Sequence, residues 1–258
     1  MHVRRDDERA GTPRTDRPRR DRTRRRRPEV RVTRYEAVFF DLGGVVAHLP
    51  SIREGYALFI DRLGAEYDLP ENALDRWKSA LGSYFKERDG NEYKTAREGY
   101  RVATERLFDG SPPPEAEWRD IFETATNETA RTEDGVIEAI EALDEMGVYL
   151  GVISDIDTDA AHDLLERNGI DDCFDAVTTS EAVGYTKPDS RMYETALDAW
   201  GGDPADAVMV GDRYDHDIAG AVDAGLDAVA YGPEATGPKA TYEIDHFDEL
   251  PPLIRGDT

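Results

Sequence analysis

Cysteine is almost absent from the chain: Cys173 is the only one in 258 residues, which excludes an internal disulfide and any cysteine-rich zinc site. Lysine is nearly as scarce, with five in all, so the charged surface is written in Asp, Glu and Arg. No stretch reaches the roughly 18 consecutive apolar residues that a membrane-spanning helix needs. The N-terminus also lacks the apolar centre of a secretory signal. A cytoplasmic protein is the expectation that these absences leave, and oligomeric state is not legible.

What is abundant is acid. Asp and Glu number 56 against 32 Lys and Arg, a formal charge of −24, and the imbalance is uneven. Residues 1–34 hold fourteen Arg, no Lys and six acids, which leaves eighteen basic against fifty acidic residues in the remainder. That composition resembles proteins of salt-loving microbes, where dense carboxylates keep the surface hydrated and salt screens their repulsion. A body this negative repels nucleic acid and anionic membranes, so only the tail could bind them. The tail's run "RPRRDRTRRRRPE" has no aromatic residue and no apolar periodicity, and residues 1–34 are expected to be disordered. They read as a solvated arm, an arm held loosely by the acidic body, or upstream sequence translated ahead of a true start at Val30 or Val32. A nucleic-acid arm is the sharper alternative, but short Arg runs carry little specificity.

The length suffices for one core plus a smaller appended unit. "AVFFDLGG" is a continuous apolar run bounded by glycines, which suits a central parallel strand ending at Asp41. From Ser51 to Thr132 the pattern turns helical, with Trp, Tyr, Leu and Phe spaced among charges and a break at "GSPPPE". An α/β rhythm then resumes. "DGVIEAIEALDEMG" places Val136, Ile137, Ile140, Leu143 and Met146 on one helical face and stops at Gly147. Strands "VYLGVIS", "FDAVTTS", "DAVMVGD" and "LDAVAYG" alternate with helices "TDAAHDLLERNG", "SRMYETALDAWG" and "HDIAGAVDAG". This alternation specifies an α/β fold, a doubly wound parallel sheet. The expected division is a core of residues 35–50 and 133–258 with a helical domain, 51–132, inserted after strand one.

In such sheets ligands sit beyond the carboxyl ends of the strands. The residues there are Asp41, Ser154 and Asp212, with Asp217 five positions later and Lys187 in the loop after strand three. Alone, an Asp at a strand end is usually a turn or cap residue. Together, three carboxylates offer hard oxygen ligands suited to Mg²⁺, and Ser154 and Lys187 can donate to phosphoryl oxygens. If Asp41 attacks phosphorus, this is nearly a complete phosphoryl-transfer set. Asp215 and His216 read as solvated loop residues, and Tyr35, Trp77, Tyr84 and Trp118 as packing.

With these motifs in order, the sequence resembles the haloacid dehalogenase superfamily, in the subclass with a helical cap between its first and second motifs. "VFFDLGGVV" matches the first motif, "LGVISD" the second, "GYTKPDSRMY" the third and "VMVGDRYDHDIAGAVDAGL" the fourth. The resemblance implies a Rossmann-like core and Mg²⁺-dependent hydrolysis of a small phosphate ester, such as a sugar or triose phosphate. It makes Asp41 the nucleophile, with Ser154 and Lys187 also catalytic. Asp41, Asp212, Asp217 and the carbonyl of Gly43 would hold the metal, and Asp155 and His48 would touch substrate.

One family feature is missing. The usual motif is Asp-x-Asp, whose second acid protonates the leaving oxygen; here Gly43 stands in its place. The loss would remove general acid–base help worth about 10²–10⁴-fold. A phosphatase could rely on a good leaving group or on another acid, with His48 as the nearest, although His48 reads more naturally as a cap hinge or substrate contact. Other classes remain: a carbon–halogen hydrolase needing no acid, a phosphonate hydrolase using Lys78, Lys86 or Lys94, or a non-catalytic phosphate-binding or regulatory module.

Overall fold

The computed structural model describes residues 33–108 and 110–257. The expected Arg-rich tail therefore lies outside the described residues except for Thr33 and Arg34. Arg34 belongs to the body: its amide donates to Ile254 O at 2.8 Å, and its guanidinium lies over the rings of Tyr35 and Tyr242.

Strand β1 (Ala37–Phe40) is wholly buried, as its unbroken apolar run requires. Four helices follow before the sheet resumes: α1 (Leu49–Glu66), α2 (Ala73–Lys86), α3 (Ala96–Glu105) and α4 (Glu115–Thr129). Next come α5 (Val136–Met146), β2 (Tyr149–Ser154), α6 (Thr158–Arg167), β3 (Ala176–Thr179), the single turn α7 (Ser180–Val183) and α8 (Ser190–Trp200). The chain closes with β4 (Ala207–Gly211), α9 (Gly220–Asp223), β5 (Asp227–Tyr231), β6 (Tyr242–Ile244) and α10 (Leu250–Arg255). All strands pair in parallel, in the order β3-β2-β1-β4-β5-β6. The sheet exceeds the five expected strands by β6, whose three residues at the edge are too few to display a period.

One face of the sheet packs Val38, Phe40, Val152 and Val210 against α5, where Val136, Ile140 and Leu143 are buried as the periodicity predicts. Gly147, at φ +76°, ends that helix in the left-handed conformation. The other face packs Phe39, Ile153 and Met209 against Met192 and Tyr193 of α8.

Helices α1–α4 have a core of their own, centred on Phe59, Trp77, Trp118 and Ala125. Trp77 stacks on Tyr100, and its indole N–H donates to the buried Thr104 hydroxyl at 3.0 Å. The chain passes into this cap and back out at two neighbouring crossings that pair with each other: His48 N donates to Arg131 O, and Glu133 N to Val46 O.

The expected helix at "HDIAGAVDAG" differs in kind. Residues Tyr214–Ala219 wind as a π-helix before the short α9. The wider turn accompanies an inward Asp217, whose Oδ2 accepts from the amide of Arg213 at 2.9 Å. Among the described residues, no helix is long and apolar enough to cross a membrane.

Candidate active site

The register of the sheet fixes the site. Phe40 pairs with Val152 on one side and Val210 on the other, so Asp41 leaves β1 between the ends of β2 and β4. It is 2% exposed. Its Oδ1 accepts from the amide of Leu42 at 2.8 Å and lies 3.1 Å from Lys187 Nζ.

Lys187 is fully buried, a cost that its surroundings offset. The ammonium donates to the carbonyl of Ile153 at 2.9 Å and forms ion pairs with Asp41 Oδ1 and with Asp217 Oδ1, the latter at 2.5 Å. Desolvation works against its charge, but Asp217, Asp41 and Asp155 outweigh it and hold the ammonium above its ordinary value. Ser154, 3% exposed, ends β2 beside this group.

Asp41, Asp212 and Asp217 each offer an oxygen, and these oxygens lie within 4.8 Å of one another. Two glycines permit the approach. A Cβ on Gly44, whose φ is +80°, would fall 2.0 Å from Asp212 Oδ2, and one on Gly211 would fall 2.1 Å from the Cβ of Asp217. Asp212 Oδ1 is buried and has no hydrogen-bond partner. Burial, then Asp41 and Asp217, push the Asp212 carboxyl up to about 7 against the pull of Arg213 and Lys187. Burial likewise raises Asp41, although Lys187 opposes it. An orphaned hard oxygen among three crowded carboxylates is a set that fits a divalent cation such as Mg²⁺.

Gly43 has a different environment from Gly44. Its φ lies outside the left-handed region, and an added Cβ would meet only Leu49 Cδ2 at 3.8 Å. No steric demand accounts for glycine there.

The expected substrate contact at Asp155 meets a carboxylate that is already engaged. Oδ1 accepts from the Ser180 hydroxyl at 2.9 Å and the Lys187 amide at 2.8 Å, while Oδ2 lies 3.0 Å from Arg213 Nη2 and 3.3 Å from His216 Nδ1. Burial opposes its ionisation, yet these partners and the Lys187 charge hold it well below the usual carboxylate range. His216, read from the sequence as a solvated loop residue, therefore borders the site; Asp215 is exposed as expected. His48 stands at the hinge, where its carbonyl accepts from the Ser51 hydroxyl at 2.6 Å and its ring acts electrostatically on the exposed Glu54. Its ring Nδ1 is buried and has no hydrogen-bond partner.

Sequence reasoning missed Arg213. Its Nη2 lies 3.9 Å from Asp41 Oδ2, and its Nε lies 3.9 Å from Asp212 Oδ1. The only sequence signal was adjacency to Asp212 in "VGDR". Beside these groups, a cleft of about 460 Å³ runs between the start of α1 and the loop after β5, bordered by Gly44, Asp212, Arg53 and Glu234.

A protein-family model described as haloacid dehalogenase-like hydrolase matches residues 35–225. The chain is 30% identical to a ribulose-1,5-bisphosphate 5-phosphatase of Halopiger xanaduensis over 84% of its own length and 98% of that protein's. A glyceraldehyde 3-phosphate phosphatase of Methanothermobacter thermautotrophicus is 43% identical, across 42% of this chain and 46% of that one. Among solved structures, a HAD phosphatase from Thermococcus onnurineus superposes with a TM-score of 0.62 at 23% identity, covering 84% of this chain and 97% of that one. An L-2-haloacid dehalogenase from Xanthobacter autotrophicus superposes equally, at 0.62 and 18% identity, over 87% of this chain and 100% of that one. At these identities the structures speak for the fold alone.

Proposed function

Because the chain belongs to the haloacid dehalogenase-like hydrolases, we propose that it hydrolyses the phosphate ester of a small phosphorylated metabolite, with Asp41 as nucleophile. The observation that carries this reading is the meeting of Asp41, Asp212 and Asp217 around one point, with Lys187 against two of them.

One oxygen of Asp41 attacks phosphorus, the bond to the leaving oxygen breaks, and an aspartyl-phosphate forms. Water then attacks that phosphorus and returns the Asp41 carboxylate and inorganic phosphate. Lys187 donates to the phosphoryl oxygens from its place beside Asp41, and Ser154 does so from the end of β2. Asp155 acts one layer behind, fixing the Lys187 backbone and Arg213. Asp41, Asp212, Asp217 and the carbonyl of Gly43 would hold Mg²⁺, which supplies neutralisation of phosphoryl charge. Gly43 has no side chain to protonate the leaving oxygen, so the departing group must carry its own charge in the first step.

The cleft beside Asp212 has room for a sugar-sized substrate, and the relatives named for ribulose bisphosphate and glyceraldehyde 3-phosphate favour that class. Carbon–halogen cleavage is the weaker reading, since a halide departs without help from three clustered carboxylates. A binding module would have no use for a buried nucleophile.

The test is phosphate release from a panel of sugar phosphates and p-nitrophenyl phosphate at high salt, with Mg²⁺ and with chelator. Metal-dependent release that Asp41→Asn abolishes is expected. No release from any ester with metal present would contradict the assignment.

A further inference from the structure

Asp157 lies three residues after Ser154 and occupies the N-cap position of α6, yet its carboxylate makes no bond to that helix. It reaches the cap instead. Oδ1 accepts from the Tyr93 hydroxyl at 2.5 Å and from the Ala96 amide at 2.9 Å, and Oδ2 accepts from the Arg97 amide at 2.9 Å. These two amides are the first of α3, whose own N-cap residue, Thr95, makes no side-chain capping bond. An acid from the sheet thus caps a helix of the cap domain, where a carboxylate also suits the positive end of the helix dipole. Asp157 is 5% exposed.

The duty that Asp157 leaves is taken by another acid. Glu181 Oε2 accepts from the Thr158 amide at the start of α6 at 2.8 Å, and its Oε1 pairs with the Arg97 guanidinium. With the start of α6 served by Glu181, the Asp157 carboxylate is committed to the start of α3.

The docked segment continues toward the catalytic lysine. Tyr93 N donates to Gly184 O at 2.9 Å, Thr186 N to Asn91 O at 2.8 Å, and Arg88 Nη1 to the Thr186 hydroxyl at 3.2 Å. Cap residues 88–93 thus run beside residues 184–186, immediately before Lys187, whose amide is held by Asp155. In strand order this seals the β3–β2 side, while the cleft opens by Asp212 and the loop after β5, on the β4–β5 side.

We propose that Asp157 is a positioning residue that latches the cap shut: by capping α3 it holds residues 88–97 against the loop carrying Lys187 and keeps that lysine set for phosphoryl transfer. The catalytic half of this inference rests on the phosphatase reading; the latch itself does not.

The test compares wild type, Asp157→Ala, Asp157→Asn and Tyr93→Phe in the full chain by amide hydrogen exchange and by Mg²⁺-dependent p-nitrophenyl phosphate hydrolysis. Loss of charge-assisted capping bonds should speed exchange in residues 93–99 of Asp157→Ala by about ten- to a hundredfold while residues 158–166 stay protected. With the cap open, kcat should fall by a similar factor and KM should change little. Asp157→Asn keeps an acceptor for an α3 amide and should lie between, and Tyr93→Phe should shift both readouts in the same direction by less. Unchanged exchange in residues 93–99 would overturn the latch, whatever the activity. Faster exchange throughout, with a lower thermal midpoint and unchanged kcat, would make Asp157 a merely structural acid and overturn its positioning role. An absence of hydrolysis in wild type would count against the phosphatase reading, while exchange would still decide the latch.

Discussion

Replacing Gly43 with Asp restores the acid that the first motif lacks, and the structure indicates that the side chain can be received. The backbone there is not left-handed, and the nearest atom to an added Cβ is Leu49 Cδ2 at 3.8 Å, on a residue that borders the cleft. The adjacent Gly44 gives the contrast, because a Cβ there would meet the Asp212 carboxylate at 2.0 Å. Gly43→Asp should fold with a near-native thermal midpoint, whereas Gly44→Ala should disrupt the acidic cluster. Without a general acid, the wild-type first step must expel the leaving oxygen as an anion. Its kcat/KM should then fall steeply with leaving-group pKa across a series of aryl phosphates and simple alkyl phosphates. In Gly43→Asp the slope should flatten, with alkyl esters gaining up to about 10²–10⁴-fold and the most activated aryl esters changing little. Two results would refute the reasoning: a wild-type slope near zero, or a well-folded Gly43→Asp whose slope equals that of wild type. His48→Ala is the companion control, and from its hinge position it should leave the slope unchanged.

Further predictions concern charge. Asp212, raised to about 7, holds a proton in the folded, metal-free protein that the unfolded chain releases near 3.8. The folded state binds more protons across that window, so metal-free stability should decline as pH rises through it, as thermal melts in chelator would show. Binding of Mg²⁺ must displace that proton, so its apparent affinity by calorimetry should fall by up to about tenfold per pH unit below that value. Lys187→Met removes the ammonium that compensates Asp41 and Asp217 and should cost about 3–5 kcal/mol in chelator by denaturant titration, with a smaller cost in Mg²⁺. Trp77→Ala, which empties the centre of the cap core and orphans Thr104, should cost about 3–5 kcal/mol, read as an earlier melt of the cap. With a formal charge of −24, the protein should melt at higher temperature as KCl rises; a midpoint independent of salt would contradict the salt-adapted reading of its surface.

The parts of the fold that were legible share a physical property. Strands buried on both faces, such as Ala37–Phe40 and Ala207–Gly211, must be apolar without interruption, and α5 must carry its stripe at helical spacing. These constraints are local, and the sequence displays them. The placement of Asp41, Ser154, Lys187, Asp212 and Asp217 was legible for a related reason, since parallel topology delivers strand ends to one edge. Edge strand β6 escaped because three residues are too short for a pattern. The π-helical turn at Tyr214–Ala219 escaped because nothing in its composition distinguishes it from an α-helix. Arg213, His216 and Asp157 escaped because their roles depend on partners distant in sequence: Asp155 for the first two, and for Asp157 a helix start some sixty residues earlier. Spacing along the chain carries no trace of such contacts.

The central claim is that phosphorus becomes bonded to Asp41. Mixing enzyme, Mg²⁺ and an activated phosphate ester, quenching in acid within one turnover and mapping the peptides by mass spectrometry tests it directly. The account predicts the mass of one phosphoryl group on the peptide containing Asp41, transient in time and missing from Asp41→Asn. Phosphate released within that turnover with no phosphorylated peptide, or with the group on a different residue, would contradict it.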